Sequence, residues 1–260
     1  MKSVSSFHNI DSVRETAYGF RTKLKFFVER IEILRRELGK EKSQIRILDV
    51  GCGNGRQVTF PLGSEGYSVA GIDVHKPTIA LAEAQNNFKN VEFISGDIKD
   101  LKHKLGHAGK FDIVILSDIL EHLSHPENLL FEAKNILSPH GIILISIPNG
   151  YGPFEIENFI LRKTGILKLA DFLTPRISND LQTLNKESGH VQFFTMKHFE
   201  SLISRAGLKI SSFKKGSFLC GPISSRIIGL IRPLVCLNMA AGRYLPSALC
   251  SVWYFEIRSN

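Results

Sequence analysis

Apolar residues recur at helical spacing near the start of the chain. Between residues 11 and 38 they return at steps of three and four, with charged residues between them. The stripe consists of Phe20, Leu24, Phe27, Ile31, Leu34 and Leu38. Gly39 follows as a C-cap, because glycine readily adopts the left-handed conformation that ends a helix. The pattern predicts a long amphipathic helix within an N-terminal helical segment, residues 1–44.

From residue 45 onward, short apolar runs alternate with longer helical stretches. The runs predict strands at 45–50, 68–73, 91–94, 111–116, 141–147, 208–214 and 251–258. The helical stretches lie near 57–64, 76–88, 121–137 and 195–206. This alternation is typical of parallel βαβ units, with right-handed crossovers that place helices on both faces of a sheet. We therefore expect a single α/β domain over 1–260.

Two stretches interrupt the alternation and are interpreted as insertions. Residues 148–188 form a Phe- and Leu-rich connection without a clear strand, and we expect a lid-like insertion there. Residues 217–249 are apolar and contain Arg226, Arg232 and Arg243 but no acidic residue. Short helices packed over the sheet edge and an element lying on anionic lipid both fit this composition. A third interpretation is an apolar lid over a lipid-linked acceptor.

Composition and charge narrow the setting without choosing a partner. Of the 260 residues, 43% are hydrophobic, which suits a folded domain, and the formal net charge is +8. That charge suits nucleic acid, an anionic membrane or a phosphorylated substrate. The cysteines lack metal-ligand spacing, and the N-terminus lacks the apolar run of a secretory signal. We expect a cytoplasmic protein without a membrane-spanning helix.

A glycine-rich turn, DVGCGNG at residues 49–55, follows the first predicted strand. In an open α/β sheet, ligands bind beyond the carboxyl ends of the strands. The glycines permit close backbone approach, and the N–H groups that open the next helix can face an anionic group. A dinucleotide fingerprint, GxGxxG, needs a third glycine where this chain has Arg56. The spacing therefore disfavours a NAD-dependent oxidoreductase.

Acidic residues stand at the ends of the next two strands. Asp73 ends the second strand, within reach of ribose hydroxyls, and Asp97 follows the third. Each also has a structural interpretation, since Asp73 can be a turn residue and Asp97 a helix N-cap. For Asp49 we favour such a support role, in which the carboxylate accepts backbone N–H bonds of the turn.

At this point the chain resembles the class I S-adenosylmethionine-dependent methyltransferases, over about residues 45–150 and more weakly to the end. DVGCGNG resembles the first motif of that family, and FDIVILSD at 111–118 resembles the fourth. LSPHGIIL at 137–144 is similar to the family's leucine-x-proline-glycine-glycine turn, with His140 in place of the first glycine. The segment 189–207 resembles quinone-type and sugar-type small-molecule members.

The resemblance implies a fold, a cofactor and the residues that bind it. It implies a Rossmann-like, doubly wound, mostly parallel seven-stranded sheet with an antiparallel last strand, in which 45–147 is the core that binds S-adenosylmethionine. Asp73 matches the acid that holds the ribose hydroxyls, and Asp97 matches the acid at the adenine amino group. The expected cofactor-binding residues are Asp49, Gly51, Cys52, Gly53, Asn54, Gly55, Asp73, Val74, Asp97, Ile98 and Ser117.

Two histidines, His122 and His190, lie in contexts that suggest chemistry. A histidine near neutrality suits removal of a proton from an acceptor hydroxyl, although a structural hydrogen-bonding role is the alternative for each. Methyl transfer itself needs mainly the alignment of acceptor, methyl carbon and sulfur. We therefore regard His122 and His190 as the candidate catalytic residues.

Motifs that the sequence lacks argue against several classes of methyl acceptor. The fourth predicted strand is followed by neither the Pro-Pro-aromatic stretch of nucleic-acid amino methyltransferases nor a Pro-Cys pair. Paired glutamates of protein arginine methyltransferases and the metal-binding acids of catechol-type enzymes are also missing, so we expect no metal. The sequence favours methyl transfer to a hydroxyl of a small-molecule or lipid- or glycan-linked acceptor, with peripheral membrane contact through 217–249. An RNA methyltransferase and a non-catalytic cofactor-binding module are the alternatives.

Overall fold

A seven-stranded sheet forms the centre of the computed structural model, which describes residues 18–105, 110–164, 189–221 and 223–260. Its strands are β1 (Arg46–Val50), β2 (Ser68–Asp73), β3 (Val91–Ser95), β4 (Phe111–Ser117), β5 (Leu137–Pro148), β6 (Leu208–Lys215) and β7 (Val252–Ser259). The order is β3-β2-β1-β4-β5-β7-β6, and only β7 runs antiparallel to its neighbours. The predicted fold is confirmed.

Helices cover both faces of this sheet. They are α1 (Tyr18–Leu38), α2 (Thr59–Ser64), α3 (Lys76–Gln85), α4 (Ile98–Leu105), α5 (Pro126–Ile136), α6 (Pro153–Thr164), α7 (Met196–Arg205), α8 (Ser224–Ile228) and α9 (Arg232–Tyr244). Successive strand side chains point to opposite faces, so Ile47 packs in the core beneath α1 while Leu48 packs in the core beneath α5. The sheet is therefore buried on both sides, as parallel sheets are.

One predicted helix, 121–137, starts later than the pattern indicates. α5 begins only at Pro126, and Leu120–His122 forms a separate 3₁₀ turn before it. Proline favours the first turn of a helix and disfavours helical conformation in the residue before it, which separates the two elements. As a consequence, Glu121 and His122 lie in a turn at the carboxyl edge of the sheet.

The two predicted insertions fall partly within the described residues. In the connection 148–188, α6 is described and residues 165–188 lie outside the described ranges, so a lid there stays a prediction. The part of the predicted N-terminal helix before Tyr18 likewise lies outside them. The sequence analysis missed α4, because the helix is short and four of its eight residues are Lys or Asp.

The apolar stretch 217–249 folds as α8 and α9, two short helices at the edge of the sheet. Asn238 on α9 anchors them, since its side chain bonds both the N–H and the carbonyl of Leu219, each at 2.8 Å. Much of the apolar surface of α9 stays exposed: Leu237, for example, is 66% exposed. Within the described ranges, no helix is both long and apolar enough to cross a membrane.

A buried carboxylate fixes α1 against the last strand. Glu256 on β7 is 1% exposed and accepts hydrogen bonds from Arg30 on α1 (2.5 Å), Ser211 (2.6 Å) and Arg258 (2.8 Å). Burial raises the pKa of Glu256, but these donors outweigh it and leave the pKa below its ordinary value. The contact matters for function because α1 also carries residues of the site described below.

We predict that Glu256→Gln lowers the free energy of unfolding by about 2 kcal/mol, because it removes charge-assisted hydrogen bonds and leaves buried donors without their acceptor. Urea denaturation measures this loss. The control Glu29→Gln, on the same helix, removes an exposed partner of Lys214 and costs less than about 0.5 kcal/mol. Equal losses in both variants would show that the Glu256 contact does not anchor α1.

Candidate active site

The glycine turn after β1 adopts a conformation that only glycine tolerates well. Gly51 and Gly53 have φ values of 71° and 55°. A Cβ on Gly51 would lie 2.6 Å from Cδ1 of Ile119, so the turn also depends on close backbone approach. The Gly51 N–H donates to the carbonyl of Ile72 at 2.8 Å, which binds the turn to β2. The turn is thus held in place at the carboxyl end of the sheet.

Asp73 connects this turn to the next helix. Its Oδ2 accepts the Gly53 N–H at 2.9 Å and its Oδ1 accepts the His75 N–H at 2.8 Å. Each carboxylate oxygen can accept a further hydrogen bond. Asp73 lines a cavity of about 570 Å³, and its remaining acceptor positions are available to hydroxyl groups of a ligand.

The predicted cofactor residues divide between two adjoining cavities. The 570 Å³ cavity is lined by Gly51, Gly53, Asp73, Val74, Asp97 and Ile98. A second cavity, of about 230 Å³, is lined by Asp49, Gly51, Cys52, Asn54 and Ser117. Asp118 and His122 line both. The two cavities adjoin at Gly51, Asp118 and His122, and together they offer enough volume for a nucleoside with an amino-acid tail.

Three of the predicted residues have clear structural contacts as well. Asp49 is buried and accepts the Thr59 hydroxyl at 2.6 Å, and burial raises the pKa of Asp49 to about 7. Asp97 accepts the backbone N–H of Lys99 at 3.1 Å, in the first turn of α4. Gly55 packs under Phe93, whose ring a Cβ would contact at 2.6 Å. Asp49 therefore joins the end of β1 to the start of α2, and Gly55 leaves room for the Phe93 ring beside the turn.

A lysine that sequence reasoning missed lies at the centre of the site. Lys23 on α1 is 3% exposed, and its Nζ donates to Asp118 Oδ2 (2.6 Å), Ser117 Oγ (2.7 Å) and Gln57 Oε1 (3.1 Å). The signal was available, because Lys23 interrupts the apolar face of its helix. Asp118 has a φ of 53°, a rare value for a residue other than glycine. The ion pair holds α1 over the strand ends.

A third cavity, of about 320 Å³, lies on the other side of Asp118 and His122. Its walls are mostly apolar and aromatic, with Phe20, Phe154 and Tyr254 among the lining residues. It shares Asp118 and His122 with the 570 Å³ cavity, so these two residues lie where the two spaces adjoin. We call this third space the apolar cavity and the shared position the junction.

The two predicted histidines come together at the junction. The ring centroids of His122 and His190 are 4.9 Å apart. The carbonyl of Glu121 accepts the N–H groups of Val191 (2.8 Å) and Gln192 (3.0 Å), and these bonds hold His190 next to the 3₁₀ turn. The spatial pairing of residues so distant in sequence could not be read from either motif alone.

Each histidine has an ordered partner on its Nδ1 atom. His190 Nδ1 lies 2.6 Å from Oε1 of Glu155 on α6, and His122 Nδ1 lies 3.3 Å from the carbonyl of Gly189. Burial lowers the pKa of His122, because the charged form of the ring loses hydration there. Sequence reasoning assigned no role to Glu155 or Glu121, both of which are buried.

Comparisons with known sequences identify relatives over part of the chain. A family model described as a methyltransferase domain matches residues 22–212. A ubiquinone biosynthesis O-methyltransferase of Rickettsia typhi is 30% identical over 130 residues, 49% of this chain and 49% of that protein. The mitochondrial ubiquinone biosynthesis O-methyltransferase of Mus musculus is 36% identical over 114 residues, 43% of this chain and 30% of that protein. The chain spans about half or less of the length of these curated relatives.

Solved structures share the fold. The magnesium protoporphyrin IX methyltransferase of Synechocystis PCC 6803, crystallised with S-adenosylhomocysteine, superposes with a TM-score of 0.52 and 16% identity. The superposition covers 93% of this chain and 85% of that one. At this level of identity, the likeness concerns the arrangement of strands and helices.

We predict that Asp73→Ala weakens the binding of S-adenosylhomocysteine by at least about tenfold, since a charged acceptor bonded to hydroxyls contributes on the order of 1.5–3 kcal/mol. Isothermal titration calorimetry measures the change. Glu92→Ala, which removes an exposed carboxylate from β3, serves as the control and leaves the affinity unchanged. Unchanged affinity in a folded Asp73→Ala protein would remove Asp73 from the ligand site.

Proposed function

Since the chain belongs to the class I S-adenosylmethionine-dependent methyltransferases, we propose that it methylates a hydroxyl of an apolar small molecule or lipid-linked acceptor. Membership of the family confirms the resemblance found in the glycine turn and makes S-adenosylmethionine the methyl donor. The observation that carries the finer proposal is the junction, where a nucleoside-sized space lined by Asp73 and Asp97 meets a smaller cavity with aromatic walls.

The 570 Å³ and 230 Å³ cavities fit the parts of the cofactor. The carboxylate of Asp73 suits the ribose hydroxyls, and Asp97 with Ile98 suits the adenine ring at the far end. The cavity beside Gly51 and Asn54 suits the amino-acid end of the cofactor, because the turn leaves room where a side chain would intrude. When bound, S-adenosylmethionine supplies an electrophilic methyl group on a sulfonium ion.

The apolar cavity suits the acceptor. Aromatic and aliphatic walls such as Phe20, Phe154 and Val252 favour a ring or hydrocarbon chain, while polar side chains gather where the cavity meets the junction. An amphipathic acceptor would bind with its apolar part against these walls and with its hydroxyl group at the junction, next to the methyl donor. The relatives named as ubiquinone biosynthesis O-methyltransferases support an oxygen acceptor. A space of about 320 Å³ suits a small molecule better than a polymer.

The residues of this chain align the acceptor with the methyl donor and remove the proton of the acceptor hydroxyl. The rigid turn and the Lys23–Asp118 ion pair fix the walls of the junction, which favours an in-line arrangement. The carboxylate of Glu155 orients His190 through Nδ1, so the other ring nitrogen is directed away from that carboxylate and can receive the hydroxyl proton.

An exposed apolar surface supports peripheral contact with lipid. Glu157 on α6 accepts the N–H groups of Ile223 and Ser224 at 2.6 and 2.9 Å, so α6 and α8 are neighbours. Large exposed apolar side chains on α6, α8 and α9 and the turn between the last two are Ile156, Phe159, Ile160, Ile227, Leu230, Ile231, Leu234, Leu237 and Tyr244. We call these the α6–α9 surface. Residues 217–249, which form most of this surface, contain three arginines and no acidic residue. This composition suits contact with an anionic membrane.

We predict that His190→Ala lowers kcat on the order of 100-fold, because the acceptor proton loses its base, and changes S-adenosylhomocysteine affinity less than about twofold. Release of S-adenosylhomocysteine is measured with a panel of hydroxylated aromatic compounds, with and without a prenyl chain. His198→Ala, an exposed histidine on α7, is the matched control. Failure of every hydroxyl compound to react with wild-type protein would contradict the proposed acceptor class.

We also predict that the wild-type chain co-sediments with vesicles containing phosphatidylserine at low salt. Replacing Arg226, Arg232 and Arg243 by Gln abolishes this binding, because the apolar surface then lacks attraction to the anionic headgroups.

The control for this experiment changes the same amount of charge elsewhere. Lys76, Lys89 and Lys197 are exposed, and their replacement by Gln leaves co-sedimentation intact if the α6–α9 surface carries the contact. Absence of vesicle binding by the wild-type chain would assign α8 and α9 a purely structural role.

A further inference from the structure

One wall of the apolar cavity consists of two adjoining segments. Cys220 belongs to the first segment, residues 216–221, and Ser225 belongs to the second, which is α8. The first segment is bound to the chain that leads into β7. The Ser251 hydroxyl donates to the carbonyl of Phe218 at 2.6 Å, and the N–H of the same serine donates to the carbonyl of the preceding residue at 3.0 Å. This part of the wall is therefore fixed to the edge of the sheet.

The second segment, α8, is held mainly by one carboxylate. Glu157 on α6 accepts the N–H groups of Ile223 and Ser224 at 2.6 and 2.9 Å. Within the described ranges, the other backbone hydrogen bonds of α8 are local, such as the bond from the Ser225 N–H to the Gly221 carbonyl at 3.0 Å. A helix of five residues is not stable by itself, because so few hydrogen bonds do not offset the cost of nucleation. The position of α8 therefore depends on its contact with Glu157.

Packing adds little to the attachment of α8. Ser225 lines the apolar cavity, whereas Ile227 is 56% exposed, and Leu230 and Ile231 just beyond the helix are exposed as well. Hydrophobic stabilisation follows the apolar area that is removed from water, so these exposed side chains contribute little of it. Segments with few buried apolar contacts open locally at a lower free energy than the core of a fold. Outward movement of α8 therefore costs less than movement of residues 216–221.

We propose that α8 is a gate of the apolar cavity, that Glu157 holds the gate closed, and that the acceptor enters between α6 and α8. Phe154 lines the cavity from α6 and Ser225 lines it from α8, so separation of the two helices opens the cavity between them. The α6–α9 surface borders this opening and offers an apolar path to it. The identity of the entering molecule rests on the proposed function, whereas opening of the gate does not depend on it.

Cys220 reports the position of α8, because its thiol lines the cavity beside the gate. Burial raises the pKa of Cys220 to about 11, so this thiol reacts slowly with N-ethylmaleimide while the gate is closed. The experiment uses the full chain with Cys236→Ser, which removes an exposed thiol, and mass spectrometry follows the modification of Cys220. Cys52 and Cys250 are buried, and their modification reports unfolding of the whole protein.

We expect Glu157→Ala to accelerate the modification of Cys220 by at least about tenfold, because loss of two charge-assisted hydrogen bonds raises the open population. Glu157→Gln is the control for charge. It removes the negative charge that helps to raise the pKa of Cys220, but its amide oxygen can still accept the two N–H groups. We expect it to accelerate the reaction by about threefold or less. Glu200→Gln, at an exposed position on α7, leaves the rate unchanged.

A disulfide across the gate tests whether opening is needed for turnover. A Cβ on Gly221 would touch the carboxylate of Glu157, which places the Cβ atoms of the two residues within about 5 Å, close to the range that a disulfide spans. The chain with Glu157→Cys and Gly221→Cys, in a background of Cys220→Ala and Cys236→Ser, is compared before and after reduction. We expect the oxidised form to turn over at most about a tenth as fast as the reduced form, with the same affinity for S-adenosylhomocysteine.

The outcomes separate this proposal from the proposed function. Equal rates of Cys220 modification in Glu157→Ala and Glu157→Gln, or modification of Cys250 as fast as that of Cys220, overturn the gate. Full turnover by the oxidised disulfide protein also overturns it and leaves the proposed function standing. Faster modification of Cys220 in Glu157→Ala, without methylation of any hydroxyl compound by the wild type, supports the gate and contradicts the acceptor class. If Glu157→Ala does not fold by circular dichroism, Glu157→Asp, whose side chain is too short to reach both N–H groups, replaces it.

Discussion

The positive-φ turn at Gly51 and Gly53 is the constraint on which the rest of the site depends. The chain leaves the central strand β1 and turns sharply at Gly51. A side chain at Gly51 would strain this turn, because φ is 71° there and because a Cβ would displace the Ile119 side chain. Asp73 holds this turn through the Gly53 N–H and so fixes the distance between the ends of β1 and β2. The 570 Å³ and 230 Å³ cavities both border on Gly51, so displacement of the turn would alter each of them.

A second set of contacts connects the site to the last strand of the chain, β7. Arg30 binds α1 to Glu256 on β7, and Lys23, two turns earlier on the same helix, reaches the junction through Asp118. Buried ion pairs contribute little net stability, but they fix the relative position of the elements that they join. The side of the apolar cavity that α1 forms therefore depends on the contact between α1 and β7.

The sheet and the glycine turn could be predicted from local sequence patterns. Strands, turn glycines and strand-end acids such as Asp73 are all recognised from residues that are close together in the sequence. The start of α5 was misplaced, although Pro126 carried the relevant signal. Glu121 and Glu155 were missed for a different reason: their importance comes from contacts with His190, which is far from both in sequence. Lys23 could have been recognised as a charge on an apolar face. Composition could not decide among the three interpretations of residues 217–249. Whether an apolar helix is buried or exposed depends on its tertiary contacts, which composition does not give.

The most direct measurement of the central claim is a crystal structure of the chain with S-adenosylhomocysteine. The account predicts the nucleoside in the 570 Å³ cavity beside Asp73 and the homocysteine sulfur at the junction, facing the apolar cavity past Asp118 and His122. A sulfur atom separated from the apolar cavity by the described wall residues would contradict the claim that donor and acceptor meet there.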